Sequence, residues 1–439
     1  MKRLSVALVS LMPPVRSGIA DYTADLLPAL GALVDVTLYA PAKASASLRA
    51  AHDVWLFQIG NDPLHAPSIE ALRDRARGKP AVVVLHDFVL HHLFAAAYLG
   101  GGRLDDYERE LIRSHGDRGR DLARRARSGL VTPVWDDSPW DYPLSAGVIR
   151  DADAVVVHSR LARGAVLREE PLTHVVEIPL LVAPAPWTPR DVARRALSLP
   201  LDRTVAVTLG LVTPAKRVAK ILDALALLPK EMRPLLFVGG EVAPEDPLRA
   251  RVADLGLEDD VVIAGYLSDE DFWRAARAAD ISINLRHPTM GETSAAVCRL
   301  AGIGLPIIVS DVGWFRELPD SFTAKIPVGE GETERLAEEL SRLASDESER
   351  LTRAALARAW GEERRPGQVA KAYAQVLQDA ALGLPRPLAL SGAIASELFA
   401  LGVGRTGHLG ATSREPDARL VIETARLAAG LLPARPDGP

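Results

Sequence analysis

The stretch Leu4-Ser5-Val6-Ala7-Leu8-Val9-Ser10-Leu11, followed by Pro13-Pro14-Val15-Arg16-Ser17-Gly18-Ile19-Ala20-Asp21-Tyr22, decides how the chain is read. The first part is a short apolar run, the pattern of a strand buried on both faces. The second is a turn punctuated by proline and glycine that opens a helix. The same rhythm recurs outward from it. Residues 34–39, 54–59, 81–85 and 154–158 are further short apolar runs, and the segments between them are long enough for helices. This predicts a parallel sheet with crossover helices. The second half repeats the rhythm at residues 204–209, 234–238, 261–264, 281–285 and 306–310.

Between the halves, residues 178–200 hold Pro179, Pro184, Pro186, Pro189 and Pro200 without periodicity, which reads as a linker. With 439 residues, two domains are expected. They are α/β units covering residues 1–185 and 186–365, facing each other across a cleft at the carboxyl ends of their strands, where open α/β sheets bind ligands. After residue 383 the pattern weakens. Residues 388–401 and 417–432 read as two helices of an appended tail whose purpose the sequence does not state, and residues 433–439 as a disordered end.

Composition narrows the function. The net charge is −5, and hydrophobic and charged residues make up 48% and 25% of the chain. That is ordinary for a globular protein and argues against nucleic acid as a partner. A single cysteine, Cys298, forbids an intrachain disulfide and fits a reducing compartment. No stretch approaches the roughly 18–20 apolar residues of a membrane span. A cytoplasmic protein is expected, with peripheral contact at the inner face of a membrane as a further expectation. The latter rests on residues 109–129, where Arg109, Arg113, Arg118, Arg120, Arg124, Arg125 and Arg127 outnumber Glu110, Asp117 and Asp121, giving a local +4. Such a segment is either a cationic face for anionic lipid or a solvated helix with internal ion pairs.

Four segments carry chemistry. Ser17-Gly18-Ile19-Ala20-Asp21-Tyr22 places a glycine and a helix start beside the first strand, suited to an anionic ligand. Leu85-His86-Asp87-Phe88-Val89-Leu90-His91-His92 gathers histidines near an acid. The spacings lack the i, i+4 pattern of helical metal ligands, so a neutral imidazole at His86 fits better than a metal. The third is Leu209-Gly210-Leu211-Val212-Thr213-Pro214-Ala215-Lys216-Arg217, whose two cations suit a pyrophosphate. The fourth is Asn284-Leu285-Arg286-His287-Pro288-Thr289-Met290-Gly291-Glu292-Thr293-Ser294, running into a helix. There Gly291, Thr293 and Ser294 offer amides, and Glu292 an acceptor for sugar hydroxyls. Asp151 and Asp153 mimic a metal motif, but they precede a strand and read as strand-start polarity.

Together, in this order, these segments resemble the family 4 group of retaining glycosyltransferases of the GT-B type, over roughly residues 1–380. The resemblance implies two Rossmann-like domains, with residues 366–382 as a helix crossing back onto the first. It implies donor contacts from Gly18, Gly210, Lys216, Arg217, Tyr266, Leu267, Gly291, Thr293, Ser294 and Arg299. Glu292, Lys216 and His86 would serve the chemistry, with Ser17, Asp21, Tyr22 and Asp87 on the acceptor side. No metal and no cofactor would be needed, the nucleotide sugar being a substrate and the acceptor a carbohydrate or lipid-linked one. Two positions depart from the family's usual pattern. Leu211 stands where an arginine is common, and Arg217 would supply that charge. Arg299 stands where a ribose-binding glutamate is common, and would face a phosphate or form an ion pair. A nucleotide-sugar epimerase and a non-catalytic nucleotide-binding subunit remain the rival readings.

Overall fold

The computed structural model describes residues 3–47, 51–75, 79–128, 134–243 and 247–383. The tail helices expected at residues 388–401 and 417–432 lie outside them. The first sheet holds β1 (Ser5–Val9), β2 (Asp35–Tyr39), β3 (Val54–Ile59), β4 (Ala81–Leu85), β5 (Ala154–Val157) and β6 (Val175–Glu177). The second holds β7 (Val205–Leu209), β8 (Leu235–Gly239), β9 (Val261–Gly265), β10 (Ile281–Asn284), β11 (Ile307–Ser310) and β12 (Thr323–Ile326). Their orders are β2-β1-β3-β4-β5-β6 and β12-β11-β10-β7-β8-β9, every pair parallel.

Every residue of β3, β4, β7, β8 and β10 is buried, as continuous apolar runs require in a sheet covered on both faces. Strand order reverses between β1 and β3 in one sheet and between β7 and β10 in the other. Loops leave in opposite directions at such a point and open a crevice, so the turns after β1 and β7 are the places for a ligand. One apolar cluster runs from Val6 and Leu56 through Ile178 and Leu181 to Val207 and Ile307, joining the two sheets.

Helix Pro366–Ala381 does cross back. It packs on helix Gly18–Gly31 and on β3 and β4, and the Tyr22 hydroxyl donates to the Tyr373 hydroxyl at 2.9 Å. Three elements escaped the sequence reading. β6 has only three residues. β12 reads Thr-Ala-Lys-Ile, the mixed polarity of an edge strand. Helix Arg190–Ala196 hides in the proline-rich stretch because Pro189 precedes it and it buries only Ala193 and Arg194.

The arginine-rich segment differs from the continuous cationic helix that lipid docking needs. Gly116 has a φ of 57° and breaks the helix, and Gly119 lies against the Leu111 carbonyl, so the segment folds back as a hairpin. Arg109 pairs with Asp106, Arg113 with Asp151, Arg120 with Asp117, Arg124 with Asp121, and Arg127 with Asp105 and Glu108. Arg118 lies over the Tyr142 ring. The segment thus carries its own counter-ions, and the reading as a solvated, internally paired face is the one the structure favours. Among the described residues no helix is long and apolar enough to cross a membrane.

Arg194 ties the linker to the second sheet. Its guanidinium donates to the carbonyls of Ala278, Pro200, Leu201 and Arg203 and to the Asp280 carboxylate, which also accepts from the Val205 amide at 2.8 Å. Arg194 is 2% exposed. Removing it leaves four backbone carbonyls without their donor and the buried Asp280 with Arg190 and the Val205 amide alone, so Arg194→Ala is expected to cost about 3 kcal/mol. Urea unfolding followed by tryptophan fluorescence measures this, and a loss under about 1 kcal/mol would overturn the assignment.

Candidate functional site

The two switch-point turns meet at a cavity of about 290 Å³. Gly18, Asp21 and Tyr22 line it from the first domain, and Gly210, Leu211 and Arg299 from the second. Ser17 caps helix Gly18–Gly31, its hydroxyl accepting from the Ile19 amide at 3.3 Å. A Cβ added to Gly18 would meet nothing within 4 Å, so this glycine leaves open space where a ligand can approach the helix start. Gly210 is glycine for a different reason. Its φ is +98°, and a Cβ there would stand 2.7 Å from the Lys216 ammonium.

Lys216 follows from that contact. Residues Pro214–Lys216 form a short turn that folds the side chain back beneath Gly210, where Nζ donates to the Leu209 carbonyl at 2.7 Å. The residue is buried, and burial, followed by the nearby Arg286 charge, lowers its pKa to about 7. Among the described residues it has no carboxylate partner. A buried cation without a counter-ion, beside a cavity built from two glycine turns, is an incomplete electrostatic arrangement that a phosphate would complete.

A second group of side chains adjoins it. The Glu292 carboxylate accepts from the Thr289 hydroxyl at 2.8 Å and the Met290 amide at 2.6 Å, and stands 3.0 Å from Arg286 Nε. Its orientation is therefore fixed. Asp87 approaches from the first domain. It accepts from the Asn61 amide at 2.8 Å, and burial, then the charge of Glu292, pushes its pKa up to about 7. His86 shares a 2.6 Å hydrogen bond with the Gln58 side-chain oxygen and sits edge-on to Tyr22, with centroids 5.0 Å apart. Burial, then His158 and His65, holds its pKa well below the ordinary value, so the ring is neutral. The domains close here. Trp140 Nε1 donates to the Thr289 carbonyl at 2.7 Å and the Val89 amide to Met290 at 3.0 Å. Gly291, at φ +78°, faces Phe88 so closely that a Cβ would stand 2.8 Å from that residue's own Cβ.

Other expected residues are placed differently. Arg217 does not supply the charge missing at Leu211. It takes a left-handed turn at φ 53° and forms a two-pronged pair with the buried Glu332, whose carboxylate also accepts from the Gly329 amide. Leu211 is exposed at the cavity edge. Arg299 forms ion pairs at 3.4 Å with Asp25 of the first domain and Asp269 of the second. Tyr22 lines the cavity, but its hydroxyl is spent on Tyr373. Tyr266 and Leu267 do not line the cavity: Tyr266 is exposed beneath the Arg16 guanidinium at 4.1 Å, and Leu267 packs over Gly239. Ser294 caps helix Ala295–Gly302, accepting from the Val297 amide at 3.3 Å, and the half-buried Thr293 precedes it. His91 is held by the Tyr142 carbonyl and the Tyr107 hydroxyl, both at 2.6 Å, while His92 is exposed, so the histidines disperse. Asp153 accepts from the Ala81 amide and Arg75, and Asp151 pairs with Arg73 and Arg113.

Sequence reasoning missed Arg286 as a site residue, although the quoted motif contains it. Its signal was its position directly past the end of β10, at the switch point. It missed Gln58 as well, an amide in an otherwise apolar strand.

Comparison with known proteins agrees with this fold. Residues 189–362 match the family model described as glycosyl transferases group 1. The sucrose-phosphate synthase of Thermosynechococcus elongatus has a similar structure, with a TM-score of 0.63 at 15% identity over 86% of this chain and 99% of that one. HepE of Anabaena, in complex with UDP-glucose, follows with a TM-score of 0.58 at 15% identity, over 85% of this chain and 100% of that one. Mannosylfructose-phosphate synthase of Agrobacterium fabrum is 34% identical over 116 residues, 24% of this chain and 25% of that protein, so the match spans about a quarter of that relative. Residues 189–362 thus match the model of glycosyl transferases group 1, in a chain whose two sheets have the GT-B fold.

Proposed function

We propose that this chain is a retaining glycosyltransferase that needs no divalent metal and moves a sugar from a nucleotide-sugar donor to a carbohydrate or lipid-linked acceptor. The observation that carries the reading is the interdomain cavity with two glycine turns on its wall and the unpaired Lys216 ammonium beneath it. HepE, whose structure holds UDP-glucose, supports the donor class.

In this reading the donor diphosphate lies between Gly18 and Gly210. Lys216 and the amides at the start of helix Gly18–Gly31 stabilise the negative charge that grows on the leaving group. Arg286 adds a second cation, oriented by Glu292. Glu292, held by its own loop, accepts from a hydroxyl of the transferred sugar. The sugar passes through an oxocarbenium-like state, and the departing phosphate takes the acceptor's proton, which keeps acceptor and leaving group on one face. His86, neutral, offers a ring nitrogen to a sugar hydroxyl.

Three results test this. Donor binding should depend on pH through Lys216. Below about pH 7 the ammonium is already protonated and affinity is flat. A bound diphosphate raises that pKa, so above pH 7 binding must take up a proton, and the dissociation constant of a nucleotide sugar should rise by up to about tenfold per pH unit. Lys216→Ala should flatten the profile and lower kcat/KM by about ten- to a hundredfold. An unchanged profile in the folded variant rejects the role.

Glu292→Gln should reduce kcat more than it weakens binding of the nucleoside diphosphate, because Glu292 touches sugar and not nucleotide. Equal losses for diphosphate and sugar donor would show the assignment to be wrong. Turnover should also survive EDTA. Inactivation that Mg²⁺ or Mn²⁺ reverses would sink the metal-free part of the reading.

A further inference from the structure

At the opposite end of the second sheet, a cavity of about 270 Å³ opens where β10 and β11 begin. Asp280 and Pro306, which precede those strands, line it, so it lies a full strand length from the loops that carry Lys216 and Glu292. Four arginines reach it: Arg190, Arg277, Arg350 and Arg358. Its acids are Asp280 and Glu347, and four cations minus two carboxylates leave +2.

The pairing sharpens that imbalance. Asp280 is saturated by Arg190, Arg194 and the Val205 amide. Arg350 is spent on the carbonyls of Leu343 and Ala344. Among the described residues Arg277 donates only to the Pro186 carbonyl at 3.0 Å, and the exposed Arg358 has no hydrogen bond or ion pair. Arg277 and Arg358 repel each other across the cavity. Burial, then the Arg358 charge, lowers the pKa of Arg277. Arg277 is half-buried and Arg358 exposed, and of the cavity's acids Glu347 alone has no partner among the described residues, so a doubly charged anion between the two guanidinium groups would relieve their repulsion.

The backbone makes room for the arrangement. Gly304 has a φ of +87°, and a Cβ there would collide with the Arg358 guanidinium and stand 2.9 Å from the Ala354 carbonyl. Glycine at this turn is thus what lets Arg358 lie over the cavity. Leu305, Leu351 and Ala354 add an apolar floor. The volume is just under the range of about 300–1,000 Å³ typical of small-molecule sites, and larger than a bare phosphate requires.

We propose that this cavity is a binding site for a small phosphomonoester, its phosphate held between Arg277 and Arg358 and its organic part against Leu305 and Leu351. Planar guanidinium groups suit phosphate oxygens two at a time. The occupant would also join three parts of the chain: the linker, through Arg277 and Pro186; the Gly304 turn that ends helix Ala295–Gly302; and helix Glu347–Glu362, which carries Arg358. It is independent of the donor site at Lys216.

Isothermal titration of the full chain with a hexose 6-phosphate and with inorganic phosphate tests the proposal. Wild type and Lys216→Ala, which removes phosphate binding at the donor cavity, should both bind. Arg358→Gln should weaken binding by at least about tenfold while leaving nucleotide-sugar binding unchanged. Arg277→Gln serves as the second variant should Arg358→Gln fail to fold. The ester should bind more tightly than inorganic phosphate if the floor contributes, and equal affinities would assign the site to free phosphate. Binding that survives both arginine substitutions, binding lost in Lys216→Ala alone, or no binding by wild type at tens of millimolar would overturn it.

Discussion

The arrangement of this site depends on one unbalanced charge, the Lys216 ammonium buried beneath Gly210 with the Leu209 carbonyl as its acceptor. Desolvating a cation without a carboxylate is expensive, and the fold sustains it only because the surrounding strands are packed independently of it. β7 is wholly buried and paired on both sides, so the turn that carries Lys216 hangs from a rigid edge. The same turn places Arg217 in a left-handed conformation, from which its guanidinium reaches Glu332 on the next layer. One cation is thereby paired to hold the loop, and its neighbour is left without a carboxylate partner among the described residues. Arg286 sits close enough to depress Lys216, but it is steadied by Glu292, which keeps the two cations from forcing the loop apart.

Domain closure uses a different kind of constraint. The first domain touches the Thr289–Glu292 loop through Trp140, Val89 and Phe88, and Gly291 is the one residue type that permits the approach at its positive φ. Asp87 comes with them, and its carboxyl meets the field of Glu292 from the other domain. Burial first, and then that field, raises the Asp87 pKa to about 7. Closure therefore presents Glu292 with a neutral neighbour below pH 7 and an ionised one above it.

How much of this was visible in the sequence follows from the range of each interaction. Interior strands announce themselves as apolar runs, and all eight did so. Of the four edge strands β2 and β9 were read as well, while β6 is only three residues long and β12 carries a threonine and a lysine in four. Gly210 and Gly291 were legible because their positive-φ turns need glycine locally, and Gly18 because it opens a helix shortly after a strand. The fate of the charges was not legible. Arg217 finds Glu332 115 residues away, and Arg299 finds Asp25 274 residues away, and no local pattern encodes either meeting. Gly116 and Gly119 break the arginine-rich helix, but the reversal that lets Arg127 reach Asp105 is a tertiary fact.

Arg299 shows what such a long-range pair does to the site. It lies on helix Ala295–Gly302, whose first turn adjoins Glu292, and its ion pairs reach Asp25 in the first domain and Asp269 in the second. Asp25 belongs to helix Gly18–Gly31, which opens on the Gly18 turn and is clamped from behind by Tyr373 through Tyr22. Asp21 and Asp25 both have raised pKa values, from burial first, with Arg299 opposing the shift. Opening the cleft would separate Asp25 from its arginine and return both to water. The exposed part of that gain is small, as it is for most ion pairs near solvent. What the pair fixes is register: it sets where the Gly18 turn stands relative to Gly210, and so the width of the space a ligand enters.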